Sequence, residues 1–311
     1  MENLQEANVL VTGACGFLGG YVTRVLEKAG AIVIPISRRT GFDLTNEADA
    51  MKAFLWRKPD IAIHLAARVG GIIANMNSPA SFFYDNMRIG MNVVHAASAT
   101  KTRLITVGTI CSYPKDCPVP FREEDFWNGF PEPTNAPYGI AKKALLVMCQ
   151  AYRKEHGLRY GYLSPTNLFG PRDNFDDVSS HVIPALIKKM VFAKRRGEEA
   201  VKCLGTGKVT RSFLYVEDAA EAIALAAAKL DYDDVVNLPG SPEISMSDLA
   251  HLIAKQVGYS GDIVWDPSKP DGQPRRFIDG GRVKELLGWQ PTTTLEEGLK
   301  KTINWYLGES P

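Results

Sequence analysis

Val9-Leu10-Val11-Thr12-Gly13-Ala14-Cys15-Gly16-Phe17-Leu18-Gly19 is the stretch whose reading decides the fold. A short apolar run reads as a buried strand, and three glycines at GxxGxxG spacing read as a tight turn. Leu18, Val22, Val25, Leu26 and Ala29 then recur at helical spacing until Gly30 closes the segment. A second strand over 31–36 completes a strand–helix–strand unit. Glycines in such a unit let backbone approach a pyrophosphate, which sits on the helix N-terminus, so the unit reads as a dinucleotide site with Gly13, Gly16, Phe17, Leu18 and Gly19 in contact. The expected fold class is α/β, a Rossmann-type doubly wound parallel sheet with a smaller mixed α/β C-terminal substrate domain. The expected division is 1–165, together with about 212–236, for the cofactor and 166–311 for the substrate.

The second strand ends Ile36-Ser37-Arg38-Arg39. An acidic residue there would bond a ribose 2′-hydroxyl, whereas arginine accommodates a 2′-phosphate, so the reading favours NADP(H) over NAD. The alternative is a solvated basic turn. Asp43 and Leu44 follow as a loop pair placed to meet the adenine. A third strand over 60–67 ends in Leu65, Ala66 and Ala67, where small residues would let the cofactor lie close; His64 is read as structural. A fourth strand runs to Thr109, Ile110 and Cys111, and if extension continues past its end, the Thr109 hydroxyl and Cys111 thiol point the same way. Residues 113–137, with six prolines, read as an irregular loop over the site. Tyr138 and Lys142 are four apart on a helix expected over 137–155, whose Ala141, Leu145, Cys149 and Tyr152 make a buried stripe. An ammonium beside a phenol is expected to pull it down from its usual value of about 10. After a strand over 161–164, Pro165, Asn167 and Leu168 lead out of the sheet, with Asn167 placed to meet a sugar or phosphate.

Composition narrows the partners. The 311 residues are 45% hydrophobic and 23% charged, with a net charge of +1. That balance gives no electrostatic reason for nucleic acid or an anionic membrane. No apolar run approaches the roughly 20 residues of a membrane span, and the acidic opening Met-Glu-Asn-Leu-Gln-Glu is not that of a signal peptide. Five cysteines, odd in number and without CxxC spacing, fit reduced cytoplasmic thiols and no metal site.

TGxxGxxG at 12–19, Thr109, and YxxxK at 138–142 together resemble the extended short-chain dehydrogenase/reductase family. Longer stretches are similar to the branch that converts GDP-4-keto-6-deoxy-D-mannose to GDP-L-fucose. They include His64-Leu-Ala-Ala-Arg-Val-Gly-Gly-Ile72, Pro165-Thr-Asn-Leu-Phe-Gly-Pro-Arg-Asp-Asn-Phe175, Ser180-His-Val-Ile-Pro-Ala-Leu186, Arg211-Ser-Phe-Leu-Tyr-Val-Glu-Asp218 and Ser268-Lys-Pro-Asp-Gly-Gln-Pro-Arg275. The resemblance implies NADP(H), a GDP-sugar substrate and a homodimer. It places the catalytic roles on Thr109 (where the family has Ser), Cys111, Tyr138, Lys142 and His181, with Tyr138, Lys142 and His181 also against the cofactor. The basic residue that the family carries after the His-Val-Ile-Pro segment falls on Lys188 or Lys189, with Lys189 taken as the substrate contact. Asn167, Arg211, Lys269, Asp271 and Arg275 are the other expected substrate contacts, Lys269 and Arg275 bracketing a Pro/Gly loop over the nucleotide. A related GDP-keto-sugar enzyme of colitose or 6-deoxyheptose synthesis would use the same residues. A UDP-sugar 4-epimerase would need neither Cys111 nor His181, and a cofactor-sensing scaffold would need no turnover.

Overall fold

Near-continuous Val/Ile/Leu runs are what strands covered on both faces require, and they build the sheet here. In chain order come β1 (Asn8–Thr12), α1 (Phe17–Lys28), β2 (Ile32–Ile36), α2 (Glu47–Arg57), β3 (Ile61–His64), α3 (Ile72–Asn77), α4 (Pro79–Ala99), β4 (Arg103–Val107), α5 (Ala136–His156) and β5 (Tyr160–Pro165). The computed structural model describes residues 1–269 and 271–308. Pro270, inside the loop bracketed by Lys269 and Arg275, lies outside the described residues.

The second half continues with β6 (Asn167–Phe169), α6 (Val182–Arg196), β7 (Ala200–Leu204), β8 (Thr210–Arg211), β9 (Phe213–Tyr215), α7 (Val216–Lys229) and β10 (Val235–Leu238). Then follow β11 (Ile244–Ser245), α8 (Met246–Val257), β12 (Asp262–Asp266), β13 (Arg275–Arg276), α9 (Gly281–Leu287) and α10 (Leu295–Leu307). The central sheet is six-stranded in the order β10-β5-β4-β3-β1-β2, and all its pairings are parallel. One face is covered by α1 and the Ala-rich α7, through Val22, Leu26, Ala220 and Ile223. The other is covered by α2, α4 and α5, through Phe54, Val93, Val94, Leu145 and Cys149. Strand order reverses between β1 and β3, which opens a crevice at the carboxyl ends of the strands.

A third core, with Ile187, Met190, Leu249, Ile253, Leu299 and Ile303, gathers α6, α8 and α10 around the short ribbons β6–β9, β7–β12 and β11–β8–β13. Here α6 runs to Arg196, where the sequence reading expects a helix only over 182–189. The proline-rich segment departs further from expectation. Tyr113, Phe121 and Phe126 are fully buried, the Tyr113 hydroxyl donates to Asn237 Oδ1 at 2.8 Å, and Glu123 Oε1 accepts from the Asn237 amide at 3.0 Å. It is irregular because proline blocks ladders, yet Tyr113, Phe121 and Phe126 are core, pinned to the edge strand β10, while Trp127 and Phe130 stay exposed.

Candidate active site

The crevice is a cavity of about 620 Å³ lined from both halves of the chain. At one end, β1 turns into α1 through Gly13, whose φ of +71° suits glycine. A Cβ on Gly13 would lie 2.9 Å from the Ala66 amide nitrogen, and one on Gly19 would lie 2.1 Å from the Gly13 carbonyl oxygen. The loop and first helical turn therefore close on each other with no room for a side chain. Gly16 caps α1 without a side-chain acceptor, so first-turn N–H groups of Phe17, Leu18 and Gly19 are left for an anion. The Thr12 hydroxyl accepts from the amides of Leu65 and Ala66, at 3.1 Å each, and meets His64 Nδ1 at 2.9 Å. Burial holds His64 well below the ordinary imidazole value; as a neutral ring it locks the wall made by Leu65, Ala66 and Ala67. This cradle fits a dinucleotide.

Farther along the same edge, Arg38 and Arg39 stand exposed on a single turn after β2, capped by Ser37. They are outside the cavity wall, where a 2′-phosphate would project. The Asp43 carboxylate accepts from the Thr45 amide and hydroxyl, and those bonds hold it below the usual carboxylate range. The Leu44 side chain is in the core, not on the surface.

The chemistry-bearing groups converge where β4 meets the start of α5. Thr109 does not continue the strand: it caps a one-turn helix, Ile110–Ser112, and its hydroxyl accepts from the Cys111 amide at 3.2 Å. Extended-strand parity is thus not what brings Thr109 and Cys111 to the same cavity. Close approach at Gly139 does it, because a Cβ there would lie 2.3 Å from the Cys111 carbonyl oxygen, and the Ser112 hydroxyl donates to the Gly139 carbonyl at 2.9 Å. Tyr138 and Lys142, on the turn of α5 that this contact presses inward, line the cavity beside Thr109 and Cys111.

One electrostatic expectation is overturned. The Tyr138 phenol is raised, not lowered: burial dominates, the neighbouring Cys111 adds to it, and only a hydrogen bond from Thr109 pulls down. Lys142 is not among the groups that lower the phenol; its ammonium donates to the Val107 carbonyl at 2.9 Å, and burial brings Lys142 itself down to about 8. Tyr138 is therefore a protonated donor at neutral pH.

At the far end, Asn167, His181, Lys189, Arg211 and Asp271 line the same cavity. His181 caps the N-terminus of α6, and desolvation lowers its imidazole. Arg211 donates to the carbonyls of Thr210 at 2.7 Å and Asp271 at 3.3 Å, and burial brings it down to about 9. A half-buried guanidinium bonded to carbonyls is ready for an anionic ligand. The Asp271 carboxylate holds the turn at Thr206, accepting from its amide at 2.7 Å and its hydroxyl at 2.8 Å. Of the two lysines after the His-Val-Ile-Pro segment, Lys189 faces the cavity and Lys188 turns to Asp177 at 2.7 Å.

Two residues stand elsewhere. Lys269 is exposed beyond the cavity lining. Arg275 is turned outward onto Glu243. The next residue, Arg276, enters the cavity, and sequence reasoning missed it along with Asn135 and the apolar lining of Val209, Met246 and Trp265. Successive strand residues face opposite ways, so an Arg-Arg pair announces one inward guanidinium without saying which.

Asp173, in the segment leading to His181, carries a testable pH effect. Its Oδ1 accepts from the Asn174 amide at 2.7 Å, while Oδ2 is buried with no partner among the described residues. Burial raises this carboxyl to about 7. The folded state then holds a proton more tightly than the unfolded chain, so the group's contribution is full below about pH 4 and is lost as pH rises through about 7. Asp173→Asn should remove that loss, gaining about 2 kcal/mol over wild type between about pH 5 and about pH 8. Thermal melts at the two pH values check it; equal differences at both would refute it.

Residues 9–238 match the model of the NAD dependent epimerase/dehydratase family. The chain is 41% identical over 308 residues to a GDP-L-fucose synthase of Sinorhizobium fredii, covering 99% of this chain and 98% of that one. Among solved structures, it is similar to a GDP-L-fucose synthetase from Naegleria fowleri bound to NADP, with TM-score 0.88, 29% identity, and coverage of 98% of this chain and 93% of that one. It is similar also to a GDP-6-OMe-4-keto-L-xylo-heptose reductase from Campylobacter jejuni, with TM-score 0.92, 26% identity, and coverage of 100% and 99%.

Proposed function

The chain belongs to the NAD dependent epimerase/dehydratase family, and we propose that it is an NADP(H)-dependent enzyme that inverts C3 and C5 of GDP-4-keto-6-deoxy-D-mannose and reduces C4, giving GDP-L-fucose. The observation that carries this reading is one cavity holding two hydroxyls, a thiol and an imidazole between a dinucleotide cradle and the half-buried Arg211. The residues of the cradle, Gly13 to Gly19 with Leu65 to Ala67 and Pro165 to Leu168, would hold the cofactor, with Arg38 and Arg39 toward its 2′-phosphate. When bound, NADPH supplies the hydride that C4 receives.

The chain's own residues supply the proton chemistry. A ketone at C4 makes the hydrogens on C3 and C5 acidic, and removing either leaves an enolate with its charge on O4. Thr109 and Tyr138 donate to O4 and stabilise that charge. Cys111 takes the proton, and His181 returns one to the carbon. Desolvation below the usual imidazole value makes His181, when protonated, a readier acid. In the reduction, Tyr138 gives its proton to O4. A raised phenol serves this well, because a secondary alkoxide is more basic still. Lys142, anchored on the Val107 carbonyl, stands against the cofactor, and Arg211 with Lys189 receives the substrate diphosphate.

The same reading divides the chain into a cofactor part, 1–165 with about 212–236, and a substrate part formed by the rest. It includes a cytoplasmic homodimer, joined through α4 and α5, where Tyr84, Met91 and Val147 are 58%, 42% and 49% exposed. Likeness to the heptose reductase favours one other reading, a GDP-keto-heptose substrate handled by the same residues. Incubation with GDP-4-keto-6-deoxymannose and NADPH in heavy water should give GDP-L-fucose deuterated at C3 and C5, seen by NMR. NADPH oxidation with a keto-heptose but not with this sugar would overturn the substrate assignment.

A further inference from the structure

Cys111 has a cationic neighbour that comes from 165 positions further along the chain: Arg276 Nη1 lies 3.4 Å from its sulfur. Arg276 is buried on β13. Its Nε donates to Gln273 Oε1 at 3.0 Å, and the buried Gln273 donates in turn to the carbonyls of Pro114 at 3.3 Å and Lys115 at 2.6 Å. Those carbonyls belong to the segment that directly follows Cys111, so the guanidinium is clamped to the same backbone that carries the thiol.

Other charged and titratable groups face this pair. Tyr138 approaches from α5 and Arg211 from β8, each close enough to feel Cys111. Asp271 faces Arg211, and its carboxylate is occupied by Thr206. Glu132 faces Arg276. Burial would raise Glu132, but hydrogen bonds from Thr134 and Asn135, together with Arg276, hold it below the usual range. Glu132 therefore stays ionised, spent on Thr134 and Asn135, and leaves one face of the guanidinium for sulfur.

We propose that Arg276 is the positioning residue for Cys111: it aims the sulfur into the cavity and sets a fixed positive charge against it. A guanidinium in contact with sulfur favours the anion by charge and fixes its direction by hydrogen bonding. The catalytic consequence rests on the epimerase reading; the contact does not. In that step the thiolate takes hydrogen from the carbon beside the ketone, forming S–H as C–H breaks. The electron pair passes into the enolate with its charge on O4. Arg276 neither gives nor takes a proton. The adjacent Arg275, paired with Glu243 at the surface, has no part in it.

The test needs no substrate at first. Iodoacetamide alkylation at about pH 7, resolved by peptide mass spectrometry, reads Cys111 directly, and the exposed Cys15 serves as control in the same sample. Arg276→Gln should slow Cys111 alkylation about tenfold at neutral pH, the loss closing as pH is raised, for an ion contact of this length in a partly screened site. Arg276→Lys should restore most of the rate, and Cys15 should not change. Should the Gln variant expose the buried Cys149, Arg276→Met, which keeps the apolar stem, takes its place. Deuterium entry at C3 and C5 should fall in parallel and recover at higher pH, with hydride transfer less affected. An unchanged Cys111 rate and pH profile in a variant with normal Cys15 reactivity overturns the proposal. Failure of the wild type to exchange deuterium would instead remove the epimerase reading.

Discussion

Tyr138→Phe should lower the rate of NADPH consumption about a thousandfold, the combined scale of losing a proton donor and an oxyanion donor. The substitution is conservative in shape. The ring keeps its edge-on contact with Phe82, at 6.4 Å between centroids, and the substitution gives up only the phenol's hydrogen bond with Thr109. Because burial keeps Tyr138 protonated, the lost group is a hydrogen-bond donor at O4 throughout. Deuterium exchange at C3 and C5 should therefore fall along with reduction, though Thr109 remains to hold part of the enolate charge. A rate within about tenfold of wild type would remove Tyr138 from the O4 position.

The spacing of Tyr138 and Lys142, and of the three glycines, is local and periodic, so the sequence carries it openly. A helix over 137–155 and the observed Ala136–His156 differ by a residue at each end. What the sequence does not carry is burial and long-range partnership. Nothing in Tyr138-Gly139-Ile140-Ala141-Lys142 says how deeply the fold buries the phenol, and that burial is why it shifts opposite to the simple two-residue argument. Gly139 held the missing clue, since a glycine inside a helix signals close approach of another backbone. Residues 113–137 misled for another reason. Prolines mark irregular backbone faithfully, but Tyr113, Phe121 and Phe126 follow no period, so their place in the core is set only by the fold. Arg276 is hidden in the same way, one strand position from the arginine that the motif singled out.

Cys111→Ser separates the two halves of the chemistry. Serine occupies nearly the same volume and leaves Arg276, Gln273 and the Thr109 cap in place, so the cavity should stand unaltered. Its hydroxyl is a far weaker acid than a thiol, and the alkoxide needed to take a carbon-bound proton is not populated near neutral pH. Deuterium entry at C3 and C5 should drop by about a thousandfold or more. In the proposed mechanism hydride transfer asks nothing of the sulfur, because Tyr138 alone protonates O4, and it should persist within about tenfold of wild type. The variant would then reduce the keto-sugar without inverting it, and NMR of the product would show the parent configuration at C3 and C5 with hydrogen retained there. Undiminished exchange would mean that another group, with His181 the nearest candidate, takes the proton. Loss of reduction in equal measure would mean that inversion must precede hydride transfer, because the uninverted ring does not present C4 to the nicotinamide.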